Sequence, residues 1–136
     1  MSSKHYTIEL LFKALADRTR LRILNLIRED EICVCFLVEV LNMNQPKVSR
    51  HLAYLRRAKV VTARREGKWM HYRIVESRDP HAASIFREVL SSLANDPEMQ
   101  KDRARLGQVY CTTTLPVQLS GKRPVRPSSA VLRTGA

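Results

Sequence analysis

The 136-residue sequence predicts a mainly α fold with a β-hairpin wing, a winged helix–turn–helix. Three observations predict it. Apolar residues recur at helical spacing in consecutive segments of the first half of the chain. The third and fourth segments are separated by the turn-forming stretch "NMNQP". The β-branched and aromatic run "VVTARREGKWMHYRIV" then doubles back about Glu66-Gly67.

Taken in order, Ile8, Leu11, Phe12 and Leu15 predict a first helix over about residues 6–16. A break near Asp17 precedes a second helix, carried by Leu21, Ile23, Leu24 and Ile27 to about Arg28. Glu29, Asp30 and Glu31 lead into a third, where Val34, Leu37, Val38 and Leu41 form one apolar stripe. Asn44 is a candidate N-cap for the fourth, and Pro46 is tolerated in its first turn. That helix runs to about Ala58 on Val48, Leu52 and Leu55. The helix–turn–helix thus covers about residues 33–57 and the wing about 60–75. Asp79-Pro80 opens a further helix, with a broad apolar face from Ala82, Ile85, Phe86, Val89, Leu90 and Leu93. One domain is expected over about residues 1–96. From about Pro97 the pattern degrades, and residues 97–136, ending in "SGKRPVRPSSAVLRTGA", read as a basic disordered tail.

Charge points to a partner. Twenty-four Lys and Arg against thirteen Asp and Glu leave a net +11, which favours a polyanion. Between Lys47 and Arg73 stand Lys47, Arg50, Arg56, Arg57, Lys59, Arg64, Arg65, Lys68 and Arg73, with Glu66 the lone acid. On the fourth helix, Lys47, Arg50, Tyr54 and Arg57 lie opposite Val48, Leu52 and Leu55. Such a helix suits the major groove of double-stranded DNA. Gln45, Lys47, Ser49 and Arg50 are the candidates for base edges, and His51 shares their helix. Arg64, Arg65 and Lys68, around the hairpin tip, would meet phosphate or the minor groove.

Other classes find little support. No apolar run approaches the ~20 residues of a membrane span. The N-terminus shows no signal-peptide h-region, so a cytoplasmic protein without a membrane partner is expected. His5, His51, His71 and His81 stand in no catalytic motif, so no catalytic residue and no enzyme are expected.

The segment "EICVCFLVEVL" carries Cys33 and Cys35 on either side of Val34. In a reducing compartment such a pair reads as metal-binding or redox chemistry rather than a disulfide. On a regular helix the two would flank the core stripe, each about 100° from Val34 and so about 200° apart. Two thiolates could then not grip one small ion, so the segment must be irregular or become so on binding.

The blocks "LFKALADRTRLRIL", "EICVCFLVEVL", "QPKVSRHLAYLR" and "REGKWMHYRI" together resemble, in order, the ArsR/SmtB metalloregulatory repressors, and among them the arsenical-resistance-operon repressors. The likeness covers about residues 8–95. It implies a homodimer on an imperfect palindromic operator, released when As(III) or Sb(III) binds Cys33 and Cys35, with the first and last helices as the dimer interface. No organic cofactor is implied. Phe36 stands where the family pattern has Asp, and Val38 where a third Cys can occur. Cys111, or a small cellular thiol, is the candidate third sulfur. A zinc site at Asp79 and His81 is not implied, because Ser92 and Asn95 stand where its second half would be. The rival functions are a thiol redox sensor and a sensor of divalent soft metals on the same fold.

Overall fold

A computed structural model of the chain describes residues 8–111, with side chains for 8–110. The first residues of the expected first helix, the end of the expected tail and the Cys111 side chain lie outside that description. The element order is α1 (Ile8–Leu15), α2 (Arg18–Ile27), β1 (Ile32–Cys33), α3 (Val34–Leu41), α4 (Gln45–Arg57), β2 (Val61–Glu66), β3 (Trp69–Ile74), α5 (Pro80–Leu93) and α6 (Pro97–Cys111). The winged helix–turn–helix is borne out.

Local chemistry sets the helix ends. Asp17 caps α2 by accepting from the Arg20 N–H, and Arg20 returns its guanidinium to the carbonyls of Lys13 and Ala14 that close α1. Asn42 ends α3 in the left-handed region at φ 55°, which asparagine tolerates. Asn44 then caps α4 by accepting from the Lys47 N–H at 2.9 Å, with Pro46 in the first turn. Asp79 caps α5 by accepting from the His81 N–H. The wing strands β2 and β3 pair antiparallel from Val61↔Ile74 to Glu66↔Trp69, and Gly67 takes the positive φ that the tight turn needs.

Three features depart from the sequence reading. The wing is not two-stranded: β1 adds a third antiparallel strand, giving the order β1-β3-β2, with Ile32 opposite Tyr72 and Cys33 opposite His71. The thiols do not sit off the core, because Cys33 is 0% exposed and Cys35 5%. Cys33 belongs to the sheet rather than to the helical wheel, and α6 packs along α3.

That helix is the third correction. Residues 97–111 are not tail but a helix docked on α2 and α3. Asp96 starts it, its carboxylate accepting from the N–H groups of Glu98 and Met99. Met99, Leu106, Val109 and Tyr110 are buried at helical spacing. Their stripe is interrupted by Asp102 and Arg103, which is why it does not read as an apolar face. Both are buried because both are paired. Arg22 forks onto Asp102 at 2.7 and 3.0 Å, and Arg103 donates to the Asn25 carbonyl at 3.0 Å. Asn25, itself buried, donates to the Met99 carbonyl. On the rim, Arg18 bridges Asp96 and Glu98.

Candidate functional site

Two sites adjoin on this scaffold. The first is the thiol pair at the junction of β1 and α3. Cys33 is in extended backbone, φ −70° and ψ 141°, and serves as the N-cap of α3. The Cys35 N–H donates to Cys33 Sγ at 3.4 Å. The segment is therefore not regular helix: one cysteine ends a strand, and the other lies in the first turn of a helix. A hydrogen bond from the Cys35 thiol pulls the Cys33 pKa below the ordinary thiol value, against the effect of burial. The backbone N–H groups of the helix start act in the same direction. The Cys35 pKa is pushed upward, first by that same bond and then by burial. The two shifts run in opposite directions, so Cys33 is the more readily ionised thiol of the pair.

Around it, Phe36 stacks on Tyr110 of α6, ring centroids 4.1 Å apart. This gives Phe36 a packing role. Cys111 follows Tyr110 as the last residue of α6. Among the described residues, no group of three or more His, Cys, Asp or Glu side chains stands ready to hold a metal ion.

Across the sheet, His71 lies opposite Cys33 and is 1% exposed. Neither of its ring nitrogens has a hydrogen-bond partner among the described residues, and Glu66 stands 3.6 Å from Nε2. Burial holds the His71 pKa below its usual value, with Arg64 adding to the effect. The sequence marked His71 only as a wing residue. Its pairing partner in β1, a strand too short to read from pattern, was the missing signal.

The second site is the cationic face. Val48, Leu52 and Leu55 are fully buried, so α4 presents Gln45, Lys47 and Arg50 outward, with Ser49 half-buried beside them. His51 and Tyr54 instead join α4 to α2. His51 Nδ1 lies 3.6 Å from Asp17 and 3.4 Å from the Arg20 guanidinium, and burial lowers its pKa. The Tyr54 ring carries Arg20 at 4.1 Å and Arg57 at 5.1 Å, a cation–π pair that fixes both side chains. At the wing tip Arg65 donates to the Gly67 carbonyl, and Lys68 lies 5.5 Å from the Trp69 ring. Arg64 is drawn away from them, onto the carboxylates of Glu31 and Glu66.

Comparison with known proteins places this arrangement. Residues 17–63 match the family model described as bacterial regulatory protein, arsR family. The chain is 38% identical over 122 residues to the arsenic resistance transcriptional regulator ArsR1 of Pseudomonas putida, covering 89% of this chain and 85% of that one. It is 49% identical over 79 residues to the arsenical resistance operon repressor of Escherichia coli, covering 57% of this chain and 68% of that one. Among solved structures, the AntR antimony-specific transcriptional repressor superposes with a TM-score of 0.52 at 34% identity, over 67% of this chain and 80% of that chain.

Proposed function

The chain belongs to the ArsR family of bacterial regulatory proteins, and from that premise we propose that it is a metalloid-responsive repressor. Its relatives are transcriptional regulators, not enzymes, and the chain is an ArsR-type repressor with a winged helix–turn–helix. The finer reading is that a homodimer binds double-stranded operator DNA and leaves it when As(III) or Sb(III) binds Cys33 and Cys35. No helix among the described residues is long and apolar enough to cross a membrane.

The observation that carries this reading is the placement of the thiols. Cys33 caps α3, the first helix of the helix–turn–helix, through its own sulfur. Each thiol that binds arsenous acid forms one As–S bond, and its proton leaves with the displaced hydroxide as water. Soft thiolates suit such a centre. Binding removes the Cys33 sulfur from its capping bond and draws Cys35 out of the first turn. The start of α3 must then move, and α4 packs on α3. Inducer and DNA thereby favour different positions of the same helix pair, which is the requirement for coupling. Cys111 is the proposed third sulfur, because the Phe36–Tyr110 stack ties the end of α6 to the residue beside Cys35. Gln45, Lys47, Ser49 and Arg50 are the proposed groove contacts, with Arg57, Arg65 and Lys68 meeting phosphate.

The test is a gel-shift titration with and without arsenite. Arsenite is expected to weaken DNA binding by roughly 5- to 150-fold in the wild type. Cys33→Ser with Cys35→Ser should abolish that effect and keep the fold, because serine also caps a helix. Normal release by the double variant would refute the assignment. X-ray absorption of the arsenic complex of Cys111→Ser should show one sulfur fewer than the wild type.

A further inference from the structure

Arg64 stands in the cationic wing, yet its guanidinium faces carboxylates. Nε donates to Glu31 Oε2 at 3.1 Å and Nη2 to Glu31 Oε1 at 2.6 Å, a two-pronged pair, while Nη1 donates to Glu66 at 3.3 Å. Its Nε, Nη1 and Nη2 are thus all engaged by carboxylates of the chain itself, so a phosphate would have to displace them. The partners are distant in sequence and lie on opposite sides of β3. Glu31 immediately precedes β1, the strand that carries Cys33, and Arg64 lies in β2. Each edge strand meets β3 at the same residue, since Cys33 and Arg64 are both opposite His71. The Glu31–Arg64 pair therefore spans the whole three-stranded sheet, a width of about 10 Å.

We propose that this pair is the tie through which the thiol segment holds the wing, so that Arg64 is a positioning residue rather than a DNA contact. The proposal rests on the metalloid-sensing reading above. β1 is only two residues long, and its ladder with β3 is correspondingly short. The ion pair supplements that ladder from the far strand. When Cys33 and Cys35 close on a metalloid, β1 shifts, Glu31 shifts with it, and its carboxylate leaves Arg64. The wing then loses its link to the helix pair at the moment when α3 moves. Loss of DNA affinity becomes a joint response of α4 and the wing.

The test compares wild type, Glu31→Gln, Arg64→Gln and the charge swap Glu31→Arg with Arg64→Glu. Operator-fragment affinity is measured with and without arsenite over a salt series, and arsenite binding is followed separately by thiolate–arsenic absorbance. A half-exposed tie of this kind changes an equilibrium by at most about fivefold. Both single variants should bind arsenite with wild-type stoichiometry but show an arsenite effect on DNA affinity about 3- to 5-fold smaller, and the swap should recover it. Arg64→Gln should leave the salt slope unchanged. A salt slope lowered by about 0.9 with an intact arsenite effect would make Arg64 a phosphate contact and overturn the tie. Amide exchange of Ile32 and Cys33 without arsenite decides the structural half independently. Faster exchange in Glu31→Gln supports the tie, and unchanged exchange overturns it. If wild type binds no arsenite, the sensing reading fails, and the exchange result still judges the tie.

Discussion

At the scale of single residues, the chemistry is set by burial against pairing. Cys33 and Cys35 share one environment but are shifted in opposite directions, because the bond between the two thiols favours ionisation of Cys33 and disfavours that of Cys35. His51 and His71 show the same contest without a strong partner, and burial depresses both pKa values. The folded protein binds their protons less readily than the unfolded chain, whose histidines titrate near 6.5. Their contribution is therefore complete above about pH 6.5 and declines as pH falls below it, by at most about 1.4 kcal/mol per pH unit per proton. Glu31 behaves differently in window. Arg64 holds its carboxyl below the usual range, so that contribution persists until pH falls below about 4.3. Urea unfolding of the wild type should thus lose stability between pH 7 and pH 5, and His71→Gln should lose less over that interval. An identical slope in the variant would show that His71 does not stay neutral in the fold.

At the scale of elements, α6 changes what the fold is. It lies against α2 through a buried polar seam of Asn25, Asp102 and Arg103, and against α3 through Phe36 and Tyr110. Polar groups buried in this way stabilise an interface only when all are paired, and they then define one docking geometry. Leu106, fully buried, is the apolar anchor beside that seam. Leu106→Ala is expected to cost about 2–5 kcal/mol in urea unfolding. A cost near the ~0.5 kcal/mol of an ordinary surface site would mean that α6 does not belong to the folded unit. Because α6 grips α3 beside the thiols, movement of the α3 start also works against the Phe36–Tyr110 stack.

At the scale of the whole molecule, charge decides where a polyanion can dock. The net +11 is not spread evenly. Arg18 and Arg22 are occupied by Asp96, Glu98 and Asp102 on the α6 side, and Arg87 by Glu76. On α4, Lys47 and Arg50 project from the exposed side. Arg50→Ala should lower the slope of log affinity against log salt by about 0.9, the loss of one phosphate neutralised. If the slope holds and affinity falls for one operator sequence alone, Arg50 reads a base instead. Phe12 and Leu10, the exposed large apolar residues among the described residues, lie on α1, one of the helices that the family resemblance assigns to a dimer interface.

The sequence by itself determined the order of α1 to α5, the cap at Asn44, the helix start at Asp79-Pro80, the hairpin turn and the outward face of α4. These depend on residues within a turn or two of one another, where periodicity and capping chemistry suffice. It also marked Cys33 and Cys35, whose spacing left open whether the segment is irregular from the start or becomes so on binding, and the strand-to-helix junction there shows the first. Only the tertiary structure decided the rest. The strand β1 is two residues long and exists because β3 is there to pair with it. The apolar stripe of α6 is broken by Asp102 and Arg103, and their burial depends on Arg22, 80 residues from Asp102, and on the Asn25 carbonyl, 78 from Arg103. Arg64 reads as a free wing cation until Glu31, 33 residues away, is brought alongside it. In each case a charged or polar group took its meaning from a partner across the fold, and no local pattern encodes that partner.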